Sequence, residues 1–136
     1  MIVLGIDPGL ANTGYGVVTR RAGRLVALDG GVINTAPEAA HERRLAEIHA
    51  AVDELIGEHE PDAVALEELY FGQNARTAFA VGQARGVVML APVLRKIGTF
   101  SISATKSQVV LASSDAYGVL LPHPRWSKLT IRYFAG

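Results

Sequence analysis

The sequence predicts an α/β domain, a mixed five-stranded sheet flanked by helices, occupying residues 1–136 as a single unit. Three observations predict it. A short, unbroken apolar run opens the chain, as in a strand buried on both faces. The hydrophobic period changes to a helical one over residues 38–59. The resulting order, β-β-β-α-β-α-β, suits one mixed sheet with helices packed on it. At 136 residues there is room for one core and little else.

Ile2 to Ile6 forms the first predicted strand, stopped by the turn sequence Asp7-Pro8-Gly9. Gly14-Tyr15-Gly16-Val17-Val18 starts a second, and Arg20 to Gly23 makes a polar turn. Leu25 to Ile33 supplies a third, with a bulge expected at Asp29-Gly30-Gly31. In the next segment Leu45, Ile48, Val52, Leu55 and Ile56 recur at steps of three and four, which predicts an amphipathic helix ended by Pro61. Ala63 to Leu66 is a fourth strand leading to Glu67-Glu68. Residues 74–90 form a second helix, whose Ala78, Gly82 and Gly86 make a small-residue stripe suited to a partner subunit or to the sheet. Thr99 to Ser103 is the fifth strand. Beyond residue 108, Ser, Gly and Pro interrupt any helical period, and Lys128 to Phe134 reads as a last strand.

The net charge is zero, but its distribution is uneven. Residues 1–85 carry 7 Lys/Arg against 12 Asp/Glu, while residues 86–136 carry 6 against Asp115 alone. An acidic half able to hold cations, joined to a basic half able to meet phosphates, suits a metal-dependent nuclease. A plain shortage of acids at one end has the same signature. No cysteine is present, which excludes disulfides and thiolate metal sites. No signal-peptide pattern opens the chain, and no uninterrupted apolar run of about 18 residues is found, so a cytoplasmic location is expected. His41, His49, His59 and His123 have no metal-site spacing, and Trp126 reads as packing.

Asp7 and Glu67 are the candidate catalytic and metal-binding residues, because each closes a strand. Ligands collect beyond such strand ends in open sheets. If the first and fourth strands are neighbours, the two carboxylates lie together, and their repulsion is relieved by a hard cation such as Mg²⁺ or Mn²⁺. Taken singly, Asp before Pro-Gly is a common turn and Glu at a strand end is commonly solvated. Glu68 points to the opposite face if the strand persists.

Gly5-Ile6-Asp7-Pro8-Gly9, with Thr13-Gly14-Tyr15-Gly16-Val17, resembles the opening of the bacterial RuvC crossover-junction endodeoxyribonucleases. Ala65-Leu66-Glu67-Glu68-Leu69-Tyr70 resembles their second acidic motif. Asn74-Ala75 and Gly82-Gln83-Ala84-Arg85-Gly86-Val87 are similar to the helix that follows it. The resemblance implies a ribonuclease-H-like fold and a homodimer that cuts four-way (Holliday) junction DNA with Mg²⁺ during recombination and repair. It also implies a partnership with the branch-migration RuvA–RuvB complex. Asp7 and Glu67 match the first two metal-binding acids. Tyr70 matches the position of an aromatic near the junction centre, where stacking on an unpaired base is physically sensible. A strand-end aromatic capping the core is the plainer reading, and Lys106 is a candidate DNA contact.

The family completes its site with two Asp residues three apart on a C-terminal helix, and residues 91–136 contain no such pair. Val110 stands where a basic residue is expected after Gln108-Val109. The tail therefore reads as a divergent end, a truncated or frame-shifted product, or a fused foreign sequence, with residues beyond about 108 outside the resemblance. Two other readings compete with a junction nuclease. One is a non-catalytic DNA-binding or dimerising remnant of the fold. The other is a nucleotide-binding protein of the actin and sugar-kinase type, which shares a Gly-Ile-Asp-x-Gly opening but needs a longer chain.

Overall fold

The computed structural model describes residues 1–68, 75–105, 108–113, 116–120 and 131–134, with side chains described for 1–68 and 75–101. Ten elements follow in chain order. Strands β1 (Ile2–Asp7), β2 (Asn12–Arg21) and β3 (Arg24–Asn34) precede helix α1 (His41–His59). Strand β4 (Ala63–Glu67), helix α2 (Ala75–Leu94) and β5 (Gly98–Thr105) come next, then β6 (Gln108–Ser113), β7 (Ala116–Leu120) and β8 (Ile131–Phe134).

The first five strands lie in the order β3-β2-β1-β4-β5, with β1 antiparallel to β2 and parallel to β4, and β4 parallel to β5. This is the expected five-stranded mixed sheet. Its order follows from the connections: tight turns join β1, β2 and β3, whereas each helix carries the chain back to start a parallel strand. The sheet does not stop there. Strands β6, β7 and β8 extend it antiparallel beyond β5, so the segment after residue 108, which has no helical period, adds strands instead.

Leu4, Ile6, Val17, Val64 and Leu66 on one face of the sheet meet Ile48, Val52, Leu55 and Ile56 of α1 and Ala84, Val88 and Ala91 of α2. Each large side chain buried there contributes about 1.5–3 kcal/mol relative to exposure. Val3, Val18, Ala63 and Ala65 on the opposite face are buried too, which is why β1 and β4 read as continuous apolar runs rather than alternating ones.

The β2–β3 hairpin turns through Ala22 and Gly23, both in the left-handed region (φ 49° and 76°), as a two-residue turn between right-twisted strands requires. Its bulge lies at Leu28, one residue before the expected Asp29-Gly30-Gly31, where pairing steps from Val17–Asp29 to Val18–Ala27. Helix α2 runs to Leu94, through a buried Pro92 in its last turn, four residues past the expected end. Pro92 lacks an N–H, but its carbonyl accepts bonds from the backbone N–H groups of Arg95 and Ile97, which close the helix end.

Candidate functional site

Asp7 is the last residue of β1 and Glu67 the last of β4. The strands pair in parallel with Ile6 opposite Leu66, so the next residue on each, Asp7 and Glu67, occupies adjacent positions at one sheet end. Neighbouring strands lie about 4.8 Å apart. Ile6 and Leu66 are buried in the helix-facing core, and alternation places the two carboxylates on the other face. Both are half-buried. Glu68 falls beyond the strand and is exposed.

Gly14 of β2 stands opposite Asp7 on its other side. A Cβ at Gly14 would meet the Asp7 Cβ at 3.7 Å, an ordinary contact, so this flank is open. Gly9 differs sharply, because a Cβ there would fall 2.3 Å from the carbonyl oxygen of Asn12. Only glycine lets the chain turn so tightly just past Asp7.

The turn is held by two buried threonines. Thr13 Oγ1 donates to the Gly9 carbonyl at 2.6 Å and accepts from the Gly9 N–H at 3.3 Å. Thr35 Oγ1 donates to the Leu10 carbonyl at 2.6 Å, and the Thr35 N–H donates to the Ala11 carbonyl at 3.1 Å. Arg44 Nε, from the start of α1, donates to Thr35 Oγ1 at 2.8 Å. No motif or period in the sequence marks this brace, whose partners come from separate segments.

On the core-facing side Tyr15, paired with Ile6, hydrogen-bonds Asp29, which also accepts from His59 Nε2 at 3.0 Å and the Gly30 N–H at 2.7 Å. Burial, then the negative charges of Asp29 and Glu58, push the Tyr15 phenol above its ordinary pKa. This cluster ties β2, β3 and the end of α1 together.

Two carboxylates of this kind fit a hard divalent cation in ligand chemistry, although they fill only part of its oxygen shell. Among the described residues no group of three or more His, Asp or Glu side chains is placed to hold a metal. Tyr70, Lys106 and Asp115 lie outside the described residues, so the structure does not place them against the acids.

Helix α2 presents two apolar faces. Ala84, Val88 and Ala91 are buried in the core shared with α1 and the sheet, while Phe79 (71% exposed), Met89, Leu90 and Val93 (60% exposed) face away from it. Gly82 and Gly86 lie on that outer face, and a Cβ at either would meet nothing within 4 Å. The small-residue stripe therefore does not seat the sheet. Over an 18-residue stretch of mean hydropathy 1.4 the helix is long and apolar enough to cross a membrane by length and composition, a property it shares with core helices of soluble proteins.

The fold and the paired strand-end acids define a ribonuclease-H-like α/β domain of the kind found in junction-resolving nucleases. Residues 3–116 match the family of the crossover junction endodeoxyribonuclease RuvC, and the chain belongs to that family. It is 48% identical over 96 residues to the crossover junction endodeoxyribonuclease RuvC of Alkaliphilus metalliredigens, covering 71% of this chain and 58% of that one. It is 52% identical over 91 residues to that of Moorella thermoacetica, covering 67% and 54%. The structure of Thermus thermophilus RuvC in complex with Holliday junction substrate superposes with a TM-score of 0.70 at 34% identity, over 76% of this chain and 64% of that one. The chain thus spans a little over half the length of the curated relatives it matches.

Proposed function

We propose that this chain is a metal-dependent, structure-selective endonuclease that resolves four-way DNA junctions in recombination and repair. The observation that carries this reading is the adjacency of Asp7 and Glu67 at the ends of parallel β1 and β4, in a chain of this family. Asp7 and Glu67 hold Mg²⁺, with Mn²⁺ able to substitute. The chemistry such a cation would supply when held by Asp7 and Glu67 is activation of water for attack on a phosphodiester and stabilisation of the leaving oxygen. Their carboxylate oxygens would supply two of the hard ligands such an ion takes.

Tyr70 stacks on an unpaired base at the junction centre, and Lys106 contacts phosphate. The exposed outer face of α2 joins two copies of the chain. A stripe with Gly82 and Gly86 at its middle lets two such helices come close, and Phe79, Met89, Leu90 and Val93 supply apolar area to bury. Two sites related by a twofold axis suit symmetric cuts in a four-way junction. A cytoplasmic location and a partnership with the RuvA–RuvB complex accompany this reading through the family alone.

A second reading keeps the fold and the DNA affinity without cleavage. It is favoured by the two-carboxylate site, since the described residues supply no third ligand. Gel-shift titration against a four-way junction and a linear duplex, at 50 and 200 mM-scale salt, tests what the readings share. Junction preference with binding that weakens steeply in salt is expected; no preference for the junction at low salt contradicts both.

A further inference from the structure

We infer that Arg44 is a positioning residue for Asp7: acting through Thr35, it fixes the turn that leaves β1 and so sets the Asp7 carboxylate for its cation. The inference rests on the reading that Asp7 holds a divalent ion.

Pro8 to Ala11 belongs to no strand, so its carbonyls have no ladder partners. Three of them are nevertheless satisfied in order: Gly9 by the Thr13 hydroxyl, Leu10 by the Thr35 hydroxyl, and Ala11 by the Thr35 N–H. Thr35 thus holds two consecutive carbonyls from the end of a different segment, 6% exposed. Its hydroxyl has one proton and can rotate to give it elsewhere. A guanidinium only donates, so Arg44 Nε, 2.8 Å away, occupies a lone pair of Thr35 Oγ1 and leaves the proton directed at Leu10. The bond is charge-assisted, and Arg44 is half-buried, which limits solvent competition.

Arg44 is itself anchored where α1 begins, its N–H bonded to the Ala40 carbonyl at 3.0 Å. Helix α1 is in turn fixed to the sheet by Ile48, Val52 and Ile56. The rigid helix therefore reaches the acid-bearing turn through the Arg44 guanidinium and the Thr35 hydroxyl, alongside the Thr35 N–H bond to Ala11 and the packing of Leu10 against the core. At the far end Gly9 has no slack, since its Cα hydrogen already faces the Asn12 carbonyl. A shift of Leu10 passes directly to Pro8 and Asp7. Supporting groups of this kind, one step behind a metal ligand, tune affinity without touching the ion.

The test is Mn²⁺ uptake by this 136-residue chain, followed by the electron paramagnetic resonance signal of free Mn²⁺ without DNA. Amide hydrogen exchange at Gly9 and Thr35 is measured alongside it. Arg44→Met and Thr35→Val should each weaken uptake about tenfold, the low end for supporting groups around a metal site. Thr35→Ser, which keeps the hydroxyl, should bind as the parent does. The double variant should be no weaker than Thr35→Val alone, because the two residues act in series. Parental Mn²⁺ affinity in folded Arg44→Met, with uptake abolished by Asp7→Asn, would overturn the inference while leaving the cation site standing. If the parent itself takes up no Mn²⁺, the cation site is wrong. The brace then stands if Arg44→Met speeds exchange at Gly9 and Thr35, and falls if exchange is unchanged.

Discussion

Asp7 and Glu67 stand side by side because Ile6 and Leu66, one residue earlier, are paired between parallel strands β1 and β4. The register that buries two apolar side chains on the core face also brings two like charges together on the other. A one-residue slip of either strand would bury a carboxylate, so the hydrophobic core enforces the geometry of the acid pair.

Like-charge repulsion between these carboxylates should be relieved by a cation, and thermal melting reads this directly. Mg²⁺ is expected to raise the melting temperature of the parent chain, since a ligand at about 100 times its dissociation constant stabilises by about 2.7 kcal/mol. Asp7→Asn and Glu67→Gln should each abolish the Mg²⁺ response without lowering the metal-free melting temperature. A response that survives both substitutions would place the ion elsewhere.

The two glycines flanking Asp7 should respond oppositely to a methyl group. Gly9→Ala places a Cβ against the Asn12 carbonyl and must displace the turn, at a cost of about 1–3 kcal/mol. Gly14→Ala makes only an ordinary contact with Asp7 and should retain parental stability. Urea denaturation of the two variants checks the contrast, and equal losses would refute it.

The outer face of α2 should govern self-association. Val93→Asp, at a 60% exposed position, should leave the fold intact and shift the chain from dimer to monomer in sedimentation velocity. Gly86→Leu, which fills the open stripe between helices, should do the same. Dimers that persist in both variants would assign the contact to another surface.

Tyr15 should produce an alkaline limb in the stability profile. Its folded pKa is raised, first by burial and then by Asp29 and Glu58, above the ordinary value of about 10. The unfolded chain releases the phenolic proton first as pH rises. The contribution is therefore complete below pH 10 and disappears as pH climbs through the folded value. Tyr15→Phe should flatten the melting temperature above pH 10 relative to the parent. An identical alkaline decline in both would remove Tyr15 from that role.

Much of this arrangement was legible in the sequence. β1 and β4 are continuous apolar runs, and an acid ending each run is visible before any fold is known. The period of α1 identified Ile48, Val52, Leu55 and Ile56, which are its buried residues. The direction of the α2 stripe was not legible, because a helix apolar on both faces has no polar side to orient it. Strands β6 and β7 were missed since Ser113-Ser114-Asp115 and Gly118 read as breaks, whereas Ser113 ends β6 and Gly118 lies within β7. The Arg44–Thr35–Leu10 relay is invisible for another reason. Its partners are far apart in sequence, and nothing about a threonine or a helix arginine announces a tertiary hydrogen bond. The candidate roles of Tyr70 and Lys106 rest on motif resemblance, as both lie outside the described residues.

The most direct test of the central claim is cleavage of an end-labelled four-way junction in Mg²⁺ or Mn²⁺, with parent, Asp7→Asn and Glu67→Gln chains run together. Symmetric, metal-dependent nicks in the parent, reduced at least 100-fold in both variants as expected when a group needed for the transition state is removed, are the predicted result. Junction binding without nicks, or nicking that survives Asp7→Asn, would contradict a nuclease centred on Asp7 and Glu67.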